Sequence, residues 1–179
     1  ELPVTGTTGG SITAPGSPTV MVSHGVATTI TASAGAGYHF VNWTKLAGTS
    51  SIANANAIST TVTLTGGDAT VQANFALDTH TLTTAVSPPG GGTVALNPAG
   101  GTYDYGTKVY ITASPNAGYH FVNWSGGIMG DGSGVLDSVL MTGDRSVTAN
   151  FALNTYSLTV NAATGGTISA PAASPVTVT

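Results

Sequence analysis

Ala36-Gly-Tyr-His-Phe-Val-Asn-Trp43 returns letter for letter as Ala117-Gly-Tyr-His-Phe-Val-Asn-Trp124, and Ala73-Asn-Phe-Ala-Leu77 returns as Ala149-Asn-Phe-Ala-Leu153. Two blocks in the same order make two copies of one unit, so the chain is read as a repeat array before any single side chain is interpreted. One register aligns Gly25 with Gly106 and Ile30-Thr-Ala-Ser33 with Ile111-Thr-Ala-Ser114. Beyond the tryptophans a register five residues shorter aligns Asp68 with Asp144, Val71 with Val147 and Phe75 with Phe151. The surplus falls in residues 44–59, and because insertions collect in surface loops this segment is expected to be loop. A third copy opens at Thr155, where Leu158-Thr-Val-Asn-Ala-Ala-Thr-Gly-Gly-Thr-Ile-Ser-Ala-Pro171 follows the pattern of Leu2-Pro-Val-Thr-Gly-Thr-Thr-Gly-Gly-Ser-Ile-Thr-Ala-Pro15. The expected modules are residues 1–78, 79–154 and 155–179, the last being the first hairpin of an incomplete repeat.

The periodicity is that of strands. From Ser146 to Leu153 the residues Val147, Ala149, Phe151 and Leu153 alternate with Ser146, Thr148, Asn150 and Ala152, the period-two pattern of a half-buried strand. Ile58-Ser-Thr-Thr-Val-Thr-Leu64 and Lys108-Val-Tyr-Ile-Thr-Ala113 are rich in the β-branched and aromatic residues that suit a pleated surface. Gly9-Gly10, Gly91-Gly92 and Gly165-Gly166 each separate a first from a second strand and are expected to be hairpin turns. No helical stripe is present. The fold class is therefore all-β: small tandem antiparallel modules, each with a core anchored by Tyr38, Phe40, Trp43 and Phe75 or by Tyr119, Phe121, Trp124 and Phe151. Units of this size are small but can fold without disulfides.

The junctions Phe75-Ala-Leu-Asp-Thr-His-Thr-Leu82 and Phe151-Ala-Leu-Asn-Thr-Tyr-Ser-Leu158 contain no Gly, Pro or Ser-rich run, the composition of a flexible linker. Leu77 and Leu153 are expected to pack between modules and make the array a stiff rod.

Composition narrows the partners. Only 6% of the 179 residues are charged, with 3 Lys+Arg against 7 Asp+Glu, whereas a soluble domain typically has about 25%. Lys45, Lys108 and Arg145 are scattered, so no cationic cluster exists to neutralise nucleic-acid phosphates or anionic lipids. No apolar run approaches the roughly 18 residues of a membrane span. The surface must be built from Thr, Ser, Asn and Gly, which suits an extracellular protein or faces that pack on copies of the same chain. The absence of Cys removes disulfide staples and thiolate metal sites. No signal peptide is visible, which reads as a mature chain or a fragment.

A strand with Leu-Thr-Val, a Gly-Gly step, Gly37-Tyr38-His39-Phe40-Val41-Asn42-Trp43 and a closing Val71-Gln72-Ala73-Asn74-Phe75 together resemble the divergent internalin-B-type B-repeat family over nearly the whole chain. The resemblance implies β-grasp-like modules strung along large bacterial or archaeal surface and secreted proteins, serving as spacers and adhesive stalks. It carries over no catalytic residues.

Candidate chemical sites each have a structural explanation. Leu2-Pro3-Val4-Thr5-Gly6 spells a sortase-type signal but lacks the apolar span and basic tail that should follow it, and it aligns with a first strand. His24, His39, His80 and His120 show no chelating spacing. Asp68, Asp104 and Asp144 lie at turns, where carboxylates cap amides. Asp131-Gly-Ser-Gly-Val-Leu-Asp137 is half a calcium loop without alternating carboxylates or a closing Glu. Asn42-Trp-Thr44 and Asn123-Trp-Ser125 are formal glycosylation sequons. Lys108 and Asn150 could form a crosslink, but repeat one has Ala27 in place of Lys108. No metal, cofactor or catalytic set is expected. The expected role is structural: an extracellular stalk, adhesin or self-assembling filament, with neighbouring repeats or copies of itself as partners. Leu158, Val160, Ile168, Val176 and Val178 would form an assembly hairpin offering unpaired strand edges. The alternative is a carbohydrate- or host-binding module using Trp43 and Trp124 as stacking platforms or residues 44–59 as a contact loop.

Overall fold

A computed structural model describes residues 1–158 and 164–167, and the backbone alone of residues 176–178. Val160 and Ile168 of the expected assembly hairpin lie outside the described residues, as do the side chains of Val176 and Val178. Every regular element described is a strand, with no helix among the described residues.

The first repeat contains β1 (Leu2–Gly6), β2 (Gly10–Ala14), β3 (Thr19–Val20), β4 (Ala27–Ala34), β5 (Tyr38–Ile52) and β6 (Ser59–Leu77). Their order is β2-β4-β6-β1-β3, with β5 also paired to β6. β6 serves two ladders. Its first part pairs with β4, and its last part lies between β5 and β1. The inward face changes parity on the way, from Thr60, Val62 and Leu64 to Ala69, Val71 and Ala73. Residues 65–68, with Gly66 and Gly67, absorb that phase change where the strand crosses from one layer to the other.

The second repeat separates the two layers. β7 (Thr79–Ser87), β9 (Thr102–Asp104), β11 (Tyr119–Gly126) and β13 (Arg145–Leu153) form one sheet in the order β11-β13-β7-β9. β8 (Gly92–Asn97), β10 (Lys108–Pro115) and β12 (Leu136–Leu140) form the other, in the order β12-β10-β8. The break between β12 and β13 falls where β6 changes parity in the first repeat. In the third copy, β14 (Tyr156–Leu158) pairs with β15 (Val176–Val178), Leu158 opposite Val176. Leu2 stands opposite Val20 in the first repeat, so the third copy begins with the register of the first.

Three expectations are corrected here. First, the modules are not purely antiparallel: β1 runs parallel to β6, Val4 beside Val71, and β7 runs parallel to β13 from Leu82 beside Arg145 to Ser87 beside Asn150. Second, Gly9-Gly10 and Gly91-Gly92 are not hairpin turns, because β2 pairs with β4 and β8 with β10 rather than with the preceding strand. Their glycines answer to space: a Cβ on Gly10 would overlap the Phe75 ring and one on Gly92 the Phe151 ring. Third, residues 44–59 are mostly strand. β5 runs on to Ile52, with Ser51 opposite Thr63, by accommodating register shifts after Phe40, Lys45 and Gly48. Bulges let a ladder absorb surplus residues without unpairing. The longer copy therefore lengthens a hairpin and leaves only a short turn.

Each repeat buries its own core. In the first it comprises Leu2, Val4, Ile30, Val62, Leu64 and Val71 with Trp43. In the second it comprises Leu82, Val109, Ile111, Val139, Met141 and Val147 with Trp124 and Phe151. Branched aliphatics, many fully buried, form the centre. Phe40 and Phe75, and in the second repeat Tyr119 and Phe121, are half-buried and close one end of it. Tyr38 is half-buried over Gly9.

Candidate functional site at the ends of the closing strands

The repeated octapeptide builds the same aromatic cluster twice. Phe40 meets Trp43 at 5.7 Å between centroids and Phe75 edge-on at 6.0 Å. Phe121 meets Trp124 at 5.6 Å and Phe151 at 5.8 Å. These are favourable tilted and T-shaped arrangements. Trp43 and Trp124 are 2% and 3% exposed, so neither presents a face on which a sugar could stack. The two indoles differ in one respect. Trp43 donates its Nε1–H to the Ala57 carbonyl at 3.0 Å, whereas the buried Nε1 of Trp124 has no partner among the described residues.

The sequons are part of a polar clasp. A bulge at Val41 and again at Val122 brings Asn42 opposite Asn74 and Asn123 opposite Asn150. The Asn74 amide donates to Asn42 Oδ1 at 2.7 Å and to Thr44 Oγ1 at 3.1 Å. The Asn150 amide donates to Asn123 Oδ1 at 2.8 Å and Ser125 Oγ at 3.2 Å. Residues two apart on a strand share a face, so Asn-x-Thr and Asn-x-Ser place two acceptors before one amide.

The histidines are separated. His39 Nδ1 donates to Asp78 Oδ1 at 2.7 Å, and His120 Nδ1 to Asn154 Oδ1 at 3.0 Å. His80 lies 3.7 Å from Asp144, whose carboxylate also receives the Thr81 amide. Asp68, its counterpart, meets the Glu1 ammonium. His24 is exposed. No group of three metal-ligating side chains is present among the described residues. Asp137 caps the amides of Gly130, Gly132 and Ser138 at 2.7–3.1 Å. Asp131 receives the Ser133 amide and hydroxyl, and these bonds hold its carboxyl below the usual range. Both carboxylates of the half calcium loop are thus occupied with shaping it. Lys108 lies over the Tyr110 ring, 5.0 Å from its centroid, on a different sheet from Asn150.

The feature that sequence reasoning missed is the residue after each closing strand. Asp78 donates its amide to Gly37 O at 2.8 Å and Asn154 donates to Gly118 O at 2.8 Å, while each side chain holds the histidine two residues beyond that glycine. A glycine at φ +75 or +84 and the post-strand Asp or Asn thus form one repeated notch. In the first compact unit, Glu1–Thr79 together with Asp104–Gly106, that notch is filled. Tyr105 donates its amide to Asp78 O at 2.8 Å, and its ring covers the space a Cβ on Gly37 would occupy. Leu77, half-buried, and Leu153, 49% exposed, end β6 and β13 beside these notches. The only sequence signal was the shared Gly-Tyr-His and the Asp/Asn alternation at the post-strand position.

The profile of the divergent InlB B-repeat domain matches residues 1–79 and again residues 82–155. No curated protein and no solved structure matches the chain. Two matches that together span most of the chain, over modules with the same strand order, aromatic cluster and amide clasp, make it a member of the divergent InlB B-repeat family.

Proposed function

We propose that this chain is a non-catalytic structural segment of an extracellular stalk or adhesin, whose modules transmit tension along the chain and whose copies can join into filaments. Its family occurs generally in surface proteins, and the scarcity of charge lets uncharged faces approach one another. The observation that carries the reading is the parallel pairing of the first and last strands of each repeat. Tension applied at the start of a first strand and the end of its parallel neighbour pulls along the strands. All the bonds between them are then loaded together, whereas an antiparallel terminal pair would unzip one bond at a time. Between β6 and β7 stands only Asp78, so tension passes directly from one such pair to the next.

Stretching the chain by single-molecule force spectroscopy tests this. The ladder joining β7 to β13 runs from Arg145 to Asn150, longer than the Val71 to Ala73 ladder joining β1 to β6. Two unfolding events are expected, the higher-force one belonging to the second repeat. The substitution Ala85→Pro, inside the parallel ladder, should lower that event selectively by removing a bond donor. Extension at low, unzipping-type force with no sensitivity to Ala85→Pro would remove the mechanical reading.

A further inference from the structure

Strand β8, Gly92-Thr-Val-Ala-Leu-Asn97, is an unprotected sheet edge. β8 and its first-repeat counterpart β2 both stand at the edge of their sheets, although β8 is preceded and β2 followed by a complete repeat. The edge therefore belongs to the module and not to where the sequence starts or stops. Edge strands are normally blunted by charge, proline, bulges or cover. β2 has a bulge, with Ile12 opposite Ala32 and Ala14 opposite Thr31, so that Thr13 is left over. In the second repeat β11 has a bulge at Val122, β9 is only three residues long, and Met129 covers β12 by donating to Ser138 O at 2.8 Å. β8 has none of these devices. It contains no charged residue and no proline, and its register with β10 is unbroken from Asn97 opposite Tyr110 to Gly92 opposite Pro115.

The pairing of β10 decides which groups β8 leaves free. Ala113 donates its amide to Val135 O, and Thr107 O accepts from Met141, so the odd-numbered residues of this stretch turn their backbone groups toward β12. Those of Tyr110, Thr112 and Ser114 face β8 and engage Asn97, Ala95 and Thr93 opposite them. Val94 and Leu96 are left with N–H and C=O pointing away from the sheet, and no partner for them is present among the described residues. Their side chains are half-buried against the core, while Thr93, Ala95 and Asn97 are exposed on the other face.

We propose that β8 pairs antiparallel with β8 of a second copy of this chain, about a two-fold axis through Ala95. Val94 then exchanges both backbone bonds with the partner's Leu96, and Leu96 with the partner's Val94. The strand is complementary to itself in this register. Ala95 meets the partner's Ala95 in a non-hydrogen-bonded pair, where Cα atoms approach to about 4.5 Å and a small side chain fits. Thr93 faces the partner's Asn97, the apolar Val94 and Leu96 adjoin on the core side, and no like charges meet. The sheet continues as β12-β10-β8-β8-β10-β12, and the two-fold closes the contact on itself. The pair rests on the self-assembly part of the proposed function and gives that assembly a named contact.

The test uses the full 179-residue chain, followed by sedimentation velocity and amide exchange from about 10 µM to about 1 mM, the range expected of one short strand pair. The Val94 and Leu96 amides should exchange fast at the low end and become protected as the mass doubles, while those of Thr93 and Ala95 stay protected throughout. Ala95→Lys sets like charges opposite one another and should weaken association by about tenfold or more. In a chain without Cys, Ala95→Cys should crosslink to itself on oxidation, whereas Thr93→Cys should crosslink efficiently only when mixed with Asn97→Cys. All of these side chains are exposed, so folding is not at stake. Association that leaves the Val94 and Leu96 amides unprotected and ignores Ala95→Lys would overturn the β8 pair and leave self-assembly standing through another surface. A chain that stays monomeric over the whole range, with Ala95→Cys crosslinking no faster than Thr93→Cys, would overturn both.

Discussion

Replacing each tryptophan by phenylalanine separates packing from hydrogen bonding, because the two copies control for one another. Trp43 and Trp124 are equally buried and meet Phe40 and Phe121 at nearly the same distance and tilt. The cavity left by trimming indole to phenyl is therefore nearly the same in both, and it cancels in the comparison. What does not cancel is the indole N–H. In the first repeat it is bonded to Ala57 O, and its removal forfeits a net contribution of about 1 kcal/mol. In the second it is buried without a partner among the described residues, and its removal relieves a desolvation penalty of about 1–3 kcal/mol. Trp43→Phe should therefore destabilise its repeat by about 2–4 kcal/mol more than Trp124→Phe destabilises the other. The assay is urea unfolding followed by the NMR peak volumes of Ile30 and Ile111, which report each core separately. Fluorescence is unsuitable, since each variant keeps only the indole of the unmutated repeat. With a urea slope of about 1 kcal/mol per molar for a module this small, the midpoints should fall unequally by about 2–4 M. Equal losses, or a larger loss in the second repeat, would refute the reasoning and mean that Trp124 has a partner.

The glycine under the closing-strand phenylalanine gives a second test: Gly10→Val should destabilise the first repeat by about 1–3 kcal/mol through overpacking. Adding Phe75→Leu should recover part of that loss in urea midpoint, and no recovery would show that the ring is not what excludes a side chain. The third concerns Asp131. Its folded-state pKa is lowered by Ser133, so the stability it contributes is present above the unfolded carboxylate range and fades as pH falls through the lower folded value. The Ser133 amide should titrate with a midpoint below that of an ordinary aspartate, and a midpoint at or above it would contradict the hydrogen bonds drawn to that carboxylate.

The all-β class and the two-repeat division were legible because exact duplication and period-two alternation are local signals. The partner of each strand was not. Gly9-Gly10 between two apolar segments satisfies the usual signature of a hairpin, yet the reason for glycine at position 10 is the distant ring of Phe75. Nothing in the local pattern distinguishes a glycine that turns from one that makes room. The aromatic blocks stood out by their rarity and drew attention from Val62, Val71, Val109 and Val139, which are fully buried at the centre. The notch was hidden because its parts, Gly37, Asp78 and Tyr105, come from three separated segments, and only the fold makes them neighbours.

The surplus in the first repeat shows which parts of the module tolerate change. Trp43 donates its amide to Ala55 O as Trp124 does to Gly132 O, and Ala32 donates to Ile58 O as Ala113 does to Val135 O. The extra residues are taken up between these fixed points by register shifts in β5, while the clasp at Asn74 and the ring over Gly10 keep their counterparts at Asn150 and Gly92. One consequence reaches beyond the hairpin. The lengthened turn brings Ala57 O to Trp43, and the shorter connection leaves Trp124 without that partner. The parallel first and last strands pass through both copies unchanged in direction, although their ladders differ in length. The lengthened hairpin shares β6 with the parallel pair, but the register shifts after Lys45 and Gly48 lie opposite the part of β6 that precedes Val71, so the ladder from Val71 to Ala73 is left undisturbed while the hairpin changes length.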